Sequence, residues 1–284
     1  MRSVLVTGAN GQLGIALRNI EDSFDGFKLF YTDVDTLDIC DKTRIDAFVK
    51  SNSIDTIVNC AAYTAVDKAE DEAELCMKIN CDAVCNIGEV AASARVKVIH
   101  LSTDYVFDGC AVIPYREVDA TNPASVYGAS KLAGEQALLK VCPDSVIIRT
   151  AWLYSETGNN FLKTMLRLGK ERDTIGVVAD QKGTPTYAGD LAEAIKAVMM
   201  SEKFSPGIYH FTNEGSCTWY DFAVKIFEIA DIKCVVKPLS TAEYPTRAKR
   251  PAYSILDKSK IKETYNISIP VWEDSLINCL RNLS

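Results

Sequence analysis

Two residues four positions apart, Tyr127 and Lys131, have the types and the spacing that proton transfer needs. On a helix, positions i and i+4 share a face, so the phenol and the ammonium can point into one cleft. A nearby cation stabilises a phenolate, and the pair therefore predicts a lowered Tyr127 pKa and a good proton donor near neutral pH. Such pairs are common on solvated helix faces, so their meaning depends on the surrounding elements.

A second polar group, Thr103, Asp104 and Tyr105, directly follows a run that predicts a buried strand, KVIHLS at 97–102. In an open α/β sheet, ligands bind outside the carboxyl ends of the strands, and polar side chains are expected there. Tyr105 is also a phenol, but only Tyr127 has a lysine one helical turn away. The sequence therefore predicts that Tyr127 is the reactive tyrosine.

A glycine turn, with Gly8, Gly11 and Gly14 in a GxxGxxG pattern, follows the first predicted strand at 3–7. In such a turn, backbone N–H groups and a helix N-terminus face a pyrophosphate, and the third glycine lets helix and strand pack closely. Asp33 ends the second predicted strand, where its carboxylate can accept hydrogen bonds from the adenosine ribose and repel a 2′-phosphate. Since no Arg or Lys directly follows that strand, NADH is favoured over NADPH as the cofactor.

The elements that must position these residues alternate along the first half of the chain. Predicted strands lie at 3–7, 28–32, 55–61, 97–102 and 145–150, and predicted helices lie near 12–20, 42–51, 72–95 and 126–140. Near-continuous apolar strands separated by helices indicate a parallel sheet that is covered on both faces. The fold class is therefore α/β, with a doubly wound parallel sheet of the Rossmann type.

After residue 150, predicted strands and helices no longer alternate regularly. Helices are predicted near 159–170, 190–201 and 218–230 and at the C-terminus, with short strands near 174–178 and 207–211. The prediction is a dinucleotide-binding domain over 1–150, to which part of 180–211 returns. A smaller α/β substrate-binding lobe takes up most of 151–284.

Composition limits the partners of this chain. Its 284 residues carry a formal charge of −7, which argues against a general nucleic-acid or anionic-membrane surface. No apolar run is long enough to span a bilayer, and the first residues enter a strand without a leader pattern. The ten cysteines form no CxxC pair, and only two histidines are present. We therefore expect a cytoplasmic protein with free thiols and without a zinc site.

Taken together, these motifs resemble the extended short-chain dehydrogenase/reductase family and, more closely, its dTDP-4-dehydrorhamnose reductase branch. The resemblance spans essentially the whole chain. It is carried by GANGQLG, NCAAYTAVDKAE (59–70), LSTDYVFDG (101–109), NPASVYGASKLAGE (122–135), RTAWLY (149–154), NNFLKTML (159–166), DQKGTPTYAGDLA (180–192) and RPAYSILD (250–257). The segments LSTDYVFDG and DQKGTPTYAGDLA are the most particular to this branch.

The resemblance implies NAD(P)H-dependent reduction of the C4 keto group of dTDP-4-dehydro-L-rhamnose to dTDP-L-rhamnose, for cell-surface polysaccharide. It implies a catalytic set in which the Thr103 hydroxyl hydrogen-bonds the carbonyl oxygen, Tyr127 protonates it, and Lys131 binds the nicotinamide ribose. The implied cofactor-binding residues are Gly8, Gly11, Gln12, Leu13, Gly14, Asp33, Asp38, Ile39, Ala61, Ala62, Tyr63, Thr64, Tyr127 and Lys131. The implied substrate-binding residues are Thr103, Asp104, Tyr105, Trp152 and Arg250, the last of these with Arg247 near the pyrophosphate.

The chain departs from those relatives that form a magnesium-linked dimer through acidic residues after the glycine turn and before the helix near 190. Here Ile15 follows Gly14, and only Asp190 remains of the later cluster. Because a hard cation needs several oxygen ligands, we predict no metal site and a monomer or weak homodimer.

Four other functions share parts of this pattern. Sugar-nucleotide 4,6-dehydratases carry Asp-Glu after the threonine, whereas this chain has Asp104-Tyr105, and a phenol is a poor substitute for that base. A 4-epimerase, or another nucleotide-sugar 4-ketoreductase, is separated less well. A non-catalytic subunit of the kind that regulates methionine adenosyltransferase is disfavoured, because a scaffold has no need to keep Thr103, Tyr127 and Lys131 together.

Overall fold

A computed structural model describes residues 1–283. The strands are β1 (Arg2–Thr7), β2 (Phe27–Thr32), β3 (Ile54–Asn59), β4 (Lys97–Thr103), β5 (Val146–Thr150), β6 (Leu153–Tyr154), β7 (Thr174–Val178), β8 (Lys182–Gly183), β9 (Thr186–Tyr187), β10 (Gly207–His210), β11 (Cys217–Thr218) and β12 (Val235–Leu239). The α-helices are α1 (Gln12–Asn19), α2 (Lys42–Ser51), α3 (Val66–Ala69), α4 (Ala73–Met77), α5 (Ala83–Ala94), α6 (Val126–Val141), α7 (Phe161–Glu171), α8 (Ala188–Met200), α9 (Trp219–Ile229), α10 (Ser259–Tyr265) and α11 (Trp272–Asn282). Short 3-10 turns lie at Glu21–Ser23, Asp104–Val106 and Thr241–Glu243, and a π turn lies at Lys78–Asp82.

Six parallel strands form the central sheet in the order β2-β1-β3-β4-β5-β10. The predicted doubly wound sheet is thereby confirmed. One face packs against α1 and α8, and the other packs against α2, α5 and α6, so the central strands are apolar on both sides. The strand order reverses between β1 and β3, and that point is where open α/β sheets form a ligand crevice.

The second region has an apolar core of its own. Helices α7, α9 and α11 bury side chains such as Phe222, Ile226 and Leu276 against each other and against β7, which pairs in parallel with β12. The chain returns to the central sheet between these elements, because β10 pairs with β5 and α8 packs on α1. The division into two domains near residue 150 stays a prediction.

The helix predicted over 72–95 is not a regular α-helix. It consists of α4, the π turn Lys78–Asp82 and α5 in direct succession. Asn80, within the π turn, accepts a hydrogen bond from the Tyr63 N–H at 2.9 Å and donates one to the Tyr63 carbonyl at 3.0 Å. Helix α6 crosses this turn at Gly134, where a Cβ would lie 2.0 Å from the Asn80 carbonyl oxygen. The irregular turn thus faces the helix that carries Tyr127 and Lys131.

Across residues 1–283, the helices lack the combination of length and apolar character that a bilayer crossing requires. All ten cysteines are free thiols, and seven of them are buried or pack against the core clusters as small apolar groups, for example Cys76, Cys142 and Cys279.

Candidate active site

A cavity of about 990 Å³ opens at the carboxyl ends of β1, β2, β3, β4 and β5. Its volume suits a dinucleotide or nucleotide-sugar ligand better than a small metabolite. It is lined by most of the residues that the sequence singles out, namely Gly8, Gly11, Gln12, Leu13, Asp33, Asp38, Ile39, Ala61, Ala62, Thr64, Thr103, Asp104, Tyr105, Tyr127, Lys131, Trp152 and Arg250. Residues at the carboxyl ends of five strands, β1 to β5, therefore meet in one place with Arg250 from late in the chain.

The glycine turn at one end of the cavity leaves backbone N–H groups available. Gly8 has a φ of +66°, and a Cβ there would lie 2.6 Å from the Ala61 backbone nitrogen, so only glycine fits. Gly14 lies outside the cavity lining, where a Cβ would come within 2.5 Å of the Ala9 Cα; it allows α1 to pack closely against the turn. Helix α1 begins without a side-chain cap, so its first N–H groups suit a phosphate.

Two side chains hold this turn in place. Asp33 accepts hydrogen bonds from the backbone N–H groups of Asn10 and Val34, both at 2.8 Å. Gln12 accepts a hydrogen bond from Asn160 Nδ2 at 2.8 Å and thereby connects the turn to the segment after β6. This link between the two regions of the chain has no signal in the local sequence.

Tyr63 does not line the cavity, although the resemblance places it among the cofactor contacts. Its phenol donates a hydrogen bond to Glu72 Oε2 at 2.6 Å, and its backbone is held by Asn80. The neighbours Ala62 and Thr64 do reach the cavity. The side chain of Tyr63 is therefore directed away from the predicted cofactor.

At the opposite end of the cavity, the 3-10 turn after β4 presents three polar side chains in succession. Thr103 Oγ1 donates a hydrogen bond to Asp104 Oδ1 at 3.0 Å and accepts one from the Tyr105 N–H at 3.3 Å. Burial raises the pKa of Asp104 to about 6, and hydrogen bonds from Ser254 and Thr103 offset part of that rise. A buried carboxyl of this kind takes up a proton just below neutral pH.

Helix α6 brings Tyr127 directly against this turn. Gly128, the next residue, lies so close to it that a Cβ would be 2.2 Å from the Tyr105 carbonyl oxygen. The helix begins at the Ser125 cap, whose side chain accepts a hydrogen bond from the Gly128 N–H at 3.1 Å. The Tyr105 and Tyr127 rings meet edge to face with centroids 5.6 Å apart. The end of β4 and the helix that carries Tyr127 therefore meet in the structure.

The expected lowering of the Tyr127 pKa is not seen. Burial raises the pKa of this phenol, and a hydrogen bond with Thr103 offsets only part of the rise. Lys131 does not counter the effect, because its ammonium is directed at a backbone acceptor and donates to the Leu101 carbonyl at 2.6 Å. Burial also lowers the pKa of Lys131 to about 8. Tyr127 is thus a protonated phenol next to a lysine that releases its proton readily.

The two arginines expected near a pyrophosphate are both paired with carboxylates. Arg250 lines the cavity, where it donates to Asp67 Oδ2 at 2.7 Å and to the Tyr105 hydroxyl at 3.2 Å. Arg247 forms an ion pair with Asp71. An anionic ligand would have to compete with these carboxylates for the guanidinium groups.

Trp219 is a cavity residue that sequence reasoning missed. It stacks on Trp152 with ring centroids 3.5 Å apart and planes at 11°, and Trp152 itself adopts a φ of +48°. Thr218 and Asp221 form a capping box that fixes Trp219 as the first residue of α9. The T-x-x-D pattern was a readable helix start, but nothing local shows that this start faces the cavity.

The single acidic residue left from the magnesium-binding pattern has other partners. Asp190 Oδ2 accepts hydrogen bonds from Asn213 Nδ2 at 2.6 Å and from Ser275 Oγ at 2.5 Å. These contacts tie α8 to α11 within one chain. The absence of a metal site stays a prediction.

The parallel sheet and the polar residues gathered at its carboxyl edge agree with the fold and site that the resemblance to the extended short-chain dehydrogenases/reductases implies. The cavity residues fit a nicotinamide dinucleotide, because the glycine turn lines the cavity next to the uncapped N-terminus of α1, whose N–H groups can bind a pyrophosphate.

Comparison with known proteins gives the particular family. The chain matches the family described as the RmlD substrate binding domain over residues 1–284, and it belongs to that family. A dTDP-4-dehydrorhamnose reductase of Aggregatibacter actinomycetemcomitans is 43% identical over 98% of each chain. A probable dTDP-4,6-dihydroxy-2-methyloxan-3-one 4-ketoreductase of Streptomyces antibioticus is 40% identical over 96% of this chain and 92% of the relative. The crystal structure of dTDP-4-dehydrorhamnose reductase from Bacillus anthracis, in complex with NADP, superposes with a TM-score of 0.95 at 40% identity, covering 99% of this chain and 100% of that one.

Proposed function

We propose that this protein reduces the C4 keto group of dTDP-4-dehydro-L-rhamnose to dTDP-L-rhamnose with NADH or NADPH, in the biosynthesis of cell-surface polysaccharide. The observation that carries the proposal is the contact between the turn after β4 and helix α6, which puts Thr103 and Tyr127 together at one end of the cavity. Curated relatives with the same activity in their names support it at 40–43% identity.

The chemistry assigned to the chain's own residues follows from their ionisation. When bound, the nicotinamide cofactor supplies the hydride that reduces the carbonyl carbon. Tyr127 keeps its proton in the resting protein, because burial raises the pKa of its phenol. It donates that proton to the carbonyl oxygen as negative charge develops there, and the Thr103 hydroxyl donates a hydrogen bond to the same oxygen. Both interactions strengthen in the transition state, so they accelerate turnover rather than binding.

We assign the rest of the cavity to the two ligands by position. Gly8, Gly11, Gln12 and Leu13 hold the pyrophosphate of the cofactor, and Lys131 binds its nicotinamide ribose. The adenosine half of the cofactor, and the part of the cofactor between its two ends, contact Asp33, Asp38, Ile39, Ala61, Ala62 and Thr64. Asp104, Tyr105, Trp152 and Arg250 contact the nucleotide sugar. A preference for NADH rests on Asp33 and on the lack of an Arg or Lys directly after β2, and the NADP complex of the Bacillus anthracis relative supports NADPH as the alternative.

Partners and location belong to the same proposal. We expect a cytoplasmic enzyme that acts as a monomer or weak homodimer, because Asp190 is engaged within its own chain. The substrate is a soluble nucleotide sugar, and the formal charge of −7 gives no support for a nucleic-acid partner.

The deciding experiment supplies freshly prepared dTDP-4-dehydro-L-rhamnose with NADH or NADPH and follows cofactor oxidation, with the product stereochemistry read by NMR. Tyr127→Phe is expected to lower kcat by about 10²- to 10⁴-fold, the usual contribution of a positioned general acid, while cofactor affinity stays close to that of the wild type. Tyr105→Phe is the matched control, since it removes a phenol that contacts Arg250 and should change kcat far less.

Other outcomes would identify other functions. The name of the Streptomyces relative suggests a second candidate substrate, a different 4-keto sugar linked to dTDP. If the protein reduced only that sugar, that sugar would replace the proposed substrate. Interconversion of C4 epimers with tightly retained cofactor would indicate an epimerase. Cofactor binding without turnover of any nucleotide sugar would favour a regulatory subunit of the methionine adenosyltransferase type.

A further inference from the structure

A row of buried polar side chains crosses the sheet directly beneath the cavity. Thr7 on β1 lies opposite Asn59 on β3, and Asn59 lies opposite His100 on β4. Lys131 on α6 continues the row, with its Nζ 3.5 Å from His100 Nε2. All four residues are at most 2% exposed. Because burial without a partner is costly for polar groups, each contact in the row constrains the next.

The backbone decides which way the Asn59 amide is oriented. The Ala61 N–H, which can only donate, contacts Asn59 Oδ1 at 3.2 Å, so this atom of the amide is the oxygen. The other end is therefore the NH₂ group, and it donates to His100 Nδ1 at 3.0 Å. Thr7 Oγ1 donates to the same Asn59 oxygen at 2.7 Å and is consistent with this orientation.

The protonation of His100 follows from its neighbour. Its Nδ1 accepts a hydrogen bond and so carries no proton. Burial holds the pKa of His100 well below its ordinary value, and the nearby Lys131 lowers it further. The ring is therefore neutral, and its single proton lies on Nε2, which faces Lys131.

An Nε2–H group affects the two forms of Lys131 differently. The amine form has a lone pair that can accept this proton donor, whereas the ammonium form has only donors. Glu135, one helical turn further along α6, is a carboxylate that favours the ammonium, but both of its oxygens accept from Arg149. Cys60 and Cys76 would favour the charged form of Lys131 only as thiolates, and burial raises the pKa of the Cys60 thiol. None of these groups offers the ammonium a second acceptor like the Leu101 carbonyl.

We infer that His100, fixed as the Nε2–H tautomer by Asn59, is a positioning residue that favours the amine form of Lys131. The contribution of His100 to turnover rests on the proposed function, because it acts through the proposed catalytic lysine. The tautomer and the ionisation of Lys131 are properties of the cofactor-free protein, so they can be measured whether or not the protein reduces a sugar.

The first test is NMR of protein labelled with ¹⁵N only in histidine. The chain has two histidines, and the structure gives them opposite tautomers. His210 Nδ1 lies 3.1 Å from the Tyr115 carbonyl oxygen, to which it must donate, so its proton lies on Nδ1. One Nε2–H and one Nδ1–H pattern are expected at neutral pH, and His100→Gln assigns them. A His100 signal of the Nδ1–H or imidazolium type would overturn the inference, and two Nδ1–H patterns in the wild-type protein would do so without any variant.

The second test changes the neighbour rather than the histidine. Asn59→Asp puts an acceptor opposite His100 Nδ1, which moves the proton to Nδ1 and turns a bare Nε2 toward Lys131. The pKa of Lys131, followed by side-chain NMR without cofactor, should rise by roughly one pH unit or more, a tenfold change in its protonation equilibrium. His100→Phe removes the donor without adding a charge and should shift the Lys131 pKa in the same direction.

Thr7→Val is the matched control, because it removes a contact to the same Asn59 oxygen while the Ala61 N–H still orients the amide. It should leave the His100 tautomer and the Lys131 pKa unchanged. A flipped tautomer in Asn59→Asp together with an unmoved Lys131 pKa would sink the inference. If the protein proves to be a reductase, the basic limb of its kcat against pH should move with the Lys131 pKa.

Discussion

The two ends of the cavity are built from different materials. At the end formed by β1 and β2, the protein presents backbone: a glycine in the left-handed region, uncapped N–H groups of α1, and a carboxylate that fixes the turn. At the end formed by β4 and α6, it presents buried ionisable side chains whose pKa values are moved by burial. Phosphates need a shape with many donors, whereas proton transfer needs a few groups in a chosen protonation state.

At the β4–α6 end, the largest loss of folding stability should come from removing one partner of a buried ion pair. Glu135 and Arg149 form a bidentate ion pair beneath this end, with contacts of 2.9 and 2.7 Å and side chains only 2% exposed. Arg149→Met leaves Glu135 buried without its partner and should lower the free energy of unfolding by about 3–5 kcal/mol in urea denaturation. The double variant Glu135→Leu/Arg149→Met should recover most of the loss. A loss below about 1 kcal/mol in the single variant would mean that water reaches this pair.

At the β1–β2 end, folding stability should be lost when a side chain is added where the backbone leaves no space. Gly8→Ala forces a side chain into a φ of +66° and places its Cβ 2.6 Å from the Ala61 backbone nitrogen, so a loss on the order of 3 kcal/mol is expected. Gly26→Ala is the control, because its φ of +80° is equally unfavourable but nothing lies within 4 Å of the new Cβ. It should cost only about 1–2 kcal/mol, the backbone part of the effect. Equal losses in thermal or urea unfolding would show that the contact with Ala61 does not matter.

A smaller effect at the β4–α6 end should appear in the pH dependence of folding stability. Burial raises the pKa of Asp104 to about 6 in the folded protein, so folding favours its protonated form. This group stabilises the fold fully at acidic pH, and that contribution is lost as the pH rises from about 4 through about 6, on the order of 2–3 kcal/mol. Relative to the wild type, Asp104→Asn should therefore gain stability across this window in denaturation curves recorded from pH 4 to pH 7.

Asp180→Asn is the matched control for that measurement. Hydrogen bonds from Thr241 lower the pKa of the exposed Asp180 carboxyl, so its contribution is present at neutral pH and is lost as the pH falls. Between pH 4 and pH 7 its removal should leave the stability difference nearly constant, and the difference should change in the opposite direction only as the pH falls below about 4. If both variants moved the same way, burial would not be the cause of the Asp104 shift.

The sequence predicted those features that depend on local pattern. The apolar strands, the helix predicted near 42–51 and the polar residues after β4 all follow from the identity of residues a few positions apart, and the structure contains each of them. The placement of Thr103 beside Tyr127 was also predictable. Thr103 ends a strand at the edge of the sheet where ligands bind, and Tyr127 lies near the start of the next long helix.

The features that the sequence did not reveal depend on partners far along the chain. Lys131 was expected to act on Tyr127, but its direction is set by the Leu101 carbonyl and His100 on another element. Arg250 looked free for a phosphate until the fold brought Asp67 to it across 183 positions. A single polar residue in an apolar strand, such as His100, was a visible signal, yet its role depends on an amide on the next strand.

The π turn at Lys78–Asp82 is a place where a one-residue deletion should be tolerated in evolution. It holds one residue more than the α-helical turn that could replace it, and α4 and α5 on either side keep their own buried faces. Loss of one codon within 78–82 would therefore yield a plain helix whose flanking turns still pack as before. When this chain is aligned with a relative that has such a helix, a single-residue gap belongs there, opposite the Gly134 crossing of α6.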